Sequence, residues 1–135
     1  MNPLIRAREI AVQAHQGQRD KAEHPYFDHC RRVAEGVCTD EEKTVAYLHD
    51  VLEKGPGWTQ ERLRQEGFSA RVVEAVVALT RKPEEDENDF VRRAASNSLA
   101  RVVKLADLKD NLAQSEQAGL DSSKYVGGLQ LFEEL

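Results

Sequence analysis

The chain has few cysteines, few aromatic residues and no long apolar run, and these shortages close off several classes of protein. Its two cysteines, Cys30 and Cys38, lack the close paired spacing of a zinc or redox site. Two thiols in 135 residues also fall far short of a disulfide framework, so both are read as reduced. No apolar stretch approaches the roughly 20 residues that span a bilayer. Arg6, Arg8 and Glu9 lie close behind Met1, where a signal peptide would carry its apolar core. The expected setting is the cytoplasm, with no membrane partner. Excess positive charge is missing too: 19 lysines and arginines stand against 24 aspartates and glutamates, a formal net charge of −5. Polymeric nucleic acid is therefore not an expected partner, because non-specific binding leans on broad basic patches. A small anionic substrate stays open, since a bound divalent ion and a few local cations reverse the field inside one cleft.

The composition that remains suits a single domain over residues 1–135, with charges of mixed sign and enough apolar residues for one core. Helical spacing dominates and almost nothing alternates with a period of two. Asn2 before Pro3 starts a helix carrying the small stripe Ala7, Ala11 and Ala14. The polar segment from Gln18 to Pro25 reads as a loop. A second helix is predicted over Tyr26 to Val37. Thr39 or Asp40 caps a third with Val45, Leu48 and Leu52 on its buried face, stopped by Gly55, Pro56 and Gly57. A short helix follows Thr59, and Ser69 caps an apolar helix through Val72, Val73, Val76 and Val77. The acidic run Glu84 to Glu87 is expected as loop or first turn before a helix from about Asp89 to Ala95. Asn97 or Ser98 caps the next, through Val102, Val103, Leu105, Leu108 and Leu112. A terminal helix is expected from Ser122 to Leu135, weakened by Gly127 and Gly128 at about 1 kcal/mol each. The fold class is all-α, and the oligomeric state is open.

Four pieces carry chemistry: His29 in PYFDHCRRVA, His49 and Asp50 in AYLHDVLEK with Glu53 behind them, Asp107 and Asn111 in VKLADLKDN, and the loop GQRDK from Gly17 to Lys21. Taken singly, each has an ordinary structural explanation. Taken together, they are harder to dismiss. His49 and Asp50 border the face set by Val45, Leu48 and Leu52, and helix neighbours diverge by about 100°, so the pair is expected to flank an ion at a helix junction. Glu53, four residues after His49 and three after Asp50, returns to the same side of the helix. A carboxylate at Asp107, inside a valine- and leucine-rich helix, needs a partner. Two imidazoles with two carboxylates form an N/O donor set that suits Mn²⁺, Fe²⁺, Zn²⁺ or Mg²⁺.

The order H…HD…D in the contexts AHQGQ, PYFDH, LHDVLE and KLADLKDN resembles the HD-domain superfamily. More narrowly, it is similar to the hydrolase domain of RelA/SpoT alarmone enzymes and to the stand-alone small alarmone hydrolases, over roughly Ala7 to Asn111. The resemblance implies a compact helical bundle and Mn²⁺-dependent removal of the 3′-pyrophosphate from guanosine tetra- or pentaphosphate. It implies His29, His49, Asp50 and Asp107 as metal ligands, with Asp50 and Glu53 catalytic and Glu53 orienting or deprotonating the attacking water. Lys21, Asn111, Arg19 and Lys54 would meet the nucleotide substrate, with Lys104 and Arg81 as weaker candidates for its phosphates.

Three positions depart from the family pattern. Asp20 stands where an arginine is usual, Lys54 where the histidine-aspartate helix usually carries an aspartate, and Cys30 where a proline commonly follows the first histidine. The opposite sign changes at Asp20 and Lys54 raise the expectation that the two form a reversed ion pair. They equally raise a pocket retuned for another substrate, such as an adenosine alarmone. Outside hydrolysis, the alternatives are a nucleotide-binding module without turnover and a structural bundle in which His29, His49 and Asp107 satisfy one another.

Overall fold

The structure is a computed structural model and describes residues 2–135. Among these residues there are nine helices and one isolated β-bridge, between Arg19 and Pro25. The helices are α1 (Pro3–Ala14), α2 (Tyr26–Glu35), α3 (Asp40–Leu48), α4 (Val51–Lys54), α5 (Gln60–Gln65), α6 (Ala70–Ala78), α7 (Glu87–Ala95), α8 (Ser98–Ala118) and α9 (Ser123–Glu134).

Local chemistry sets most boundaries. Asn2 accepts from the amides of Leu4 and Ile5, with Pro3 at the first helical position. Thr39 and Glu42 form a reciprocal capping box at the start of α3. Ser69 caps α6 through the Val72 amide, Asp86 caps α7 through Asn88, and Asn97 caps α8 through Leu99 and Ala100. The long α8 ends at Gly119, whose φ of +69° is the left-handed conformation that glycine adopts without a Cβ clash. The acidic run thus divides: Asp86 is a cap and Glu87 begins the helix.

Helix α3 is the hub. Thr44, Val45, Ala46, Tyr47 and Leu48 are all buried, as befits a helix covered on every side. It packs against α1, α2, α6 and α8. Fully burying a side chain such as Leu48 or Leu63 contributes about 1.5–3 kcal/mol. A second, smaller apolar cluster of Val91, Leu108 and Phe132 joins α7, α8 and α9. Gly128 explains itself here: a Cβ on it would lie 3.0 Å from Leu108 Cδ2, so the lost helix propensity is exchanged for close approach of α9 to α8.

One expectation fails. The third helix does not run on through Leu52; it stops at Leu48 and a new short helix begins at Val51. His49 closes α3, and Asp50, with φ −108° and ψ 3°, precedes α4. The His49 ring takes the Ala46 carbonyl at 2.6 Å, an acceptor that a continued helix would have given to the Asp50 amide. His49, Asp50 and Glu53 therefore sit on two helices joined at a break, rather than on one continuous face. No helix among the described residues is long and apolar enough to cross a membrane.

Candidate metal centre and substrate cavity

The break at His49–Asp50 faces α2 and α8, and the three elements bring four side chains together. One potential ligand atom from each of His29, His49, Asp50 and Asp107 lies within 4.8 Å of every other. His29 Nε2 is 3.0 Å and His49 Nε2 3.2 Å from Asp107 Oδ1. His49 Nε2 is 3.0 Å and His29 Nε2 3.7 Å from Asp50 Oδ2. Both histidines are buried at about 2% exposure or less, so neither carries its polarity into bulk water.

The electrostatics follow from this packing. Burial opposes a charge on either imidazole, but carboxylates overcome it: Asp107 and Asp110 raise His29, and Asp50 and Asp107 raise His49 well above the usual range. Burial likewise opposes ionisation of Asp50 and Asp107. The His49 ring outweighs it at Asp50, and Lys104 with both rings outweighs it at Asp107, so both carboxyls sit below their ordinary range. Mutual charge compensation holds the cluster together, and an N/O donor set of this type could hold a divalent cation.

A second layer orients the first. His29 Nδ1 meets Asp110 Oδ2 at 2.6 Å, and His49 Nδ1 meets the Ala46 carbonyl at 2.6 Å. Both acceptors call for a hydrogen on Nδ1, so each Nε2 is the ring atom turned to the cluster, where it would offer its lone pair once a cation replaces the proton there. Gln114 Nε2 also approaches His29 Nδ1 to 3.1 Å, but both atoms then carry hydrogens, so this is contact rather than a bond. Tyr26 donates to Asp50 Oδ2 at 2.5 Å, and burial followed by the Asp50 charge raises its hydroxyl far above the usual range. Asn111 Nδ2 donates to Asp107 Oδ1 at 3.0 Å, and Lys104 Nζ lies 3.3 Å from Asp107 Oδ2.

Asp50 and Asp107 open onto a cavity of about 480 Å³ also lined by Arg19, Lys21, Glu53, Lys54, Arg81, Lys104, Asn111 and the α9 residues Lys124 and Tyr125. All the residues expected to meet a substrate thus share this space, with the exposed Glu53 at its wall. Lys21 Nζ donates to Asn111 Oδ1 at 2.8 Å and lies 5.0 Å from the Tyr125 ring. Lys104 is buried against Asp107 and Phe90 rather than solvated, and Arg81 pairs with Glu87.

The reversed ion pair does not form. Asp20 is taken by Arg32, at 2.9 Å, and by the amides of Ala22 and His24 at 2.9 and 3.0 Å, while Lys54 lies 5.1 Å above the Tyr26 ring. Sequence reasoning missed Tyr26, Arg32, Asp110 and Gln114. Asp110, three residues beyond Asp107 in the same helix, carried the one available signal: a second carboxylate one turn away.

A helical bundle that gathers H…HD…D on the floor of a cavity whose walls carry several cations is the HD-domain arrangement. The HD-domain profile matches residues 7–118, and the chain belongs to that family. Among solved structures it is similar to one described as a metazoan ortholog of SpoT that hydrolyzes ppGpp and plays a role in starvation responses. The TM-score is 0.78 at 22% identity, covering 99% of this chain and 83% of that one. At this identity the likeness establishes the shared fold. No curated protein sequence matches the chain.

Proposed function

We propose that this chain is a divalent-metal-dependent phosphohydrolase acting on a nucleotide, with the 3′-pyrophosphate of a (p)ppGpp-type alarmone as its favoured target. The observation that carries the reading is the placing of four mutually adjacent N/O donors beneath a cavity bearing several cations. The solved relative described as hydrolysing ppGpp supports the substrate class.

His29, His49, Asp50 and Asp107 would hold the ion, Mn²⁺ being the favoured one. A divalent cation there supplies Lewis acidity toward a phosphoryl oxygen and the attacking water. The rest falls to side chains. Glu53, on α4 beside Asp50, is the group to orient water and accept its proton. Lys21 and Asn111, already joined at 2.8 Å, form one contact unit for the nucleotide, with Arg19 and Lys54 at the cavity wall toward its phosphates. Tyr26 and Asn111 hold the Asp50 and Asp107 carboxylates by hydrogen bonds and so fix the floor against which the scissile group must sit.

One observation favours a second substrate reading within the same class. Asp20 turns into Arg32 and the loop backbone, so this position offers the cavity no cation. A pocket thus altered is compatible with an adenosine alarmone or another nucleotide phosphoester. The test is phosphate and pyrophosphate release from a panel of guanosine and adenosine alarmones and ordinary nucleoside phosphates, with and without Mn²⁺. Metal-dependent pyrophosphate release from one alarmone supports the proposal and names the base. Silence across the panel, from protein carrying its metal, overturns it in favour of a different phosphoester or a binding role.

A further inference from the structure

We infer that Asp110 is a positioning residue through which the Gly17–Lys21 loop and the ion cluster form one coupled unit, an inference that rests on the metal reading above. Asp110 touches neither the cavity nor the four-donor cluster's centre; it lies behind His29 and, with Arg32, lines a separate depression of about 530 Å³ on the other side of α8. Its two oxygens nevertheless collect both routes from the loop to His29.

The first route is made of charges. Asp20 shapes the loop by accepting the Ala22 and His24 amides, and its other oxygen takes Arg32 Nη2 at 2.9 Å. The same guanidinium donates through Nε to Asp110 Oδ1 at 2.7 Å. The second route is made of amides. The Lys21 N–H donates to Gln114 Oε1 at 3.1 Å, and Gln114 Nε2 donates to Asp110 Oδ2 at 2.6 Å. That oxygen is the one facing His29 Nδ1.

Two consecutive loop residues, Asp20 and Lys21, thus end on the carboxylate that sets the ring orientation of His29 and turns its Nε2 to the cluster. An ion that fixes His29 also fixes Asp110, and through it the base of the loop whose lysine reaches into the cavity. By linkage, ordering the loop strengthens ion binding by the same factor. This gives Asp20 a role that an arginine, which has donors only, could not fill: one oxygen receives Arg32 while the other accepts two loop amides.

The experiment uses chelator-treated full-length protein titrated with Mn²⁺ by calorimetry, with hydrogen exchange followed by mass spectrometry over residues 18–25. Mn²⁺ is expected to slow exchange in this loop by about fivefold or more in the wild type. Asp110→Ala should bind Mn²⁺ about 10- to 100-fold more weakly and, when saturated, no longer slow the loop. Asp110→Asn, which keeps a carbonyl for His29 Nδ1, should fall between the two and serves where the alanine variant does not fold. Wild-type Mn²⁺ affinity in either variant, or a wild-type loop indifferent to Mn²⁺, overturns the inference. A wild type that binds no Mn²⁺ or other divalent ion overturns the metal reading itself, and is told apart at the first titration.

Discussion

The Tyr26 hydroxyl and the Asp50 carboxylate meet at 2.5 Å, on the same oxygen that lies 3.0 Å from His49 Nε2. The Tyr26 ring is itself wedged between His15, at 4.8 Å between centroids, and His29, at 5.4 Å. Tyr26→Phe removes the donor and keeps the wedge. Its Mn²⁺ affinity, measured by calorimetry, is expected to fall about tenfold, with the helical circular dichroism unchanged.

The proposed ligands and base are separable. Asp50→Ala should lose both metal retention and turnover, whereas Glu53→Ala should retain the metal and lose most turnover, a drop of about 10²- to 10⁴-fold. Metal analysis beside a rate measurement makes the comparison. A fully active Glu53→Ala would reassign the base.

Ion binding to the folded chain should also raise its melting temperature. At a hundredfold excess over Kd the stabilisation is about 2.7 kcal/mol, provided the unfolded chain does not bind. Asp107→Ala should abolish the response in a thermal scan with and without Mn²⁺.

Away from the site, Arg93 grips Glu85 with Nε and Nη2 at 2.9 and 2.8 Å and also binds the Val77 and Thr80 carbonyls, tying α7 to the end of α6. The Arg93 hydrogen bonds lower Glu85 from its ordinary 4.5 to about 2. A depressed carboxyl stabilises the fold above its unfolded value, and that contribution disappears as the pH falls from about 4.5 through about 2. Glu85→Gln should therefore cost about 1 kcal/mol at neutral pH, a figure reduced for the pair's nearness to solvent. Urea unfolding should show the gap to wild type closing as the pH approaches 2.

Gly55 follows α4 where space is shortest. A Cβ there would stand 2.7 Å from the Val51 carbonyl oxygen and 2.9 Å from Ala14 Cβ. Gly55→Ala should lower stability by about 1–3 kcal/mol and displace the helix that carries Glu53. Gly119→Ala is the control: nothing lies within 4 Å of its Cβ, and only the positive φ opposes it, at about 1 kcal/mol. Denaturant midpoints rank the two.

Helix starts were legible because their signals are local: Asn2, Thr39, Ser69 and Asn97 each cap the helix that follows them. The break at His49–Asp50 was not, because Val45, Leu48 and Leu52 keep a helical period across it, and apolar spacing does not register a single diverted carbonyl. The convergence of His29, His49, Asp50 and Asp107 could be anticipated from motif order. Their supports could not. Arg32 meets Asp110 across 78 positions of chain and Tyr26 meets Asp50 across 24, and no spacing rule spans such separations. The Asp20–Lys54 pair failed for the same reason: sign complementarity says nothing of which nearer cation, here Arg32, already holds the aspartate.

The two apolar clusters divide the cavity's walls between them. The four-donor floor is set by α2, the α3–α4 break and α8, and all four of these helices send residues into the larger cluster; Lys124 and Tyr125 come from α9, which the small cluster anchors to α8 through Leu108 and Phe132. Changes at the cavity-lining positions of α9, Lys124 and Tyr125, can therefore redraw the far side of the cavity, whereas Gly128 and Phe132 pack toward Leu108, the neighbour of Asp107 in the floor. For a lineage, or for a protein engineer, such an arrangement separates recognition from reaction within one helix: the chain can drift toward new substrates at Lys124 and Tyr125 while the positions that seat α9 on α8 stay fixed.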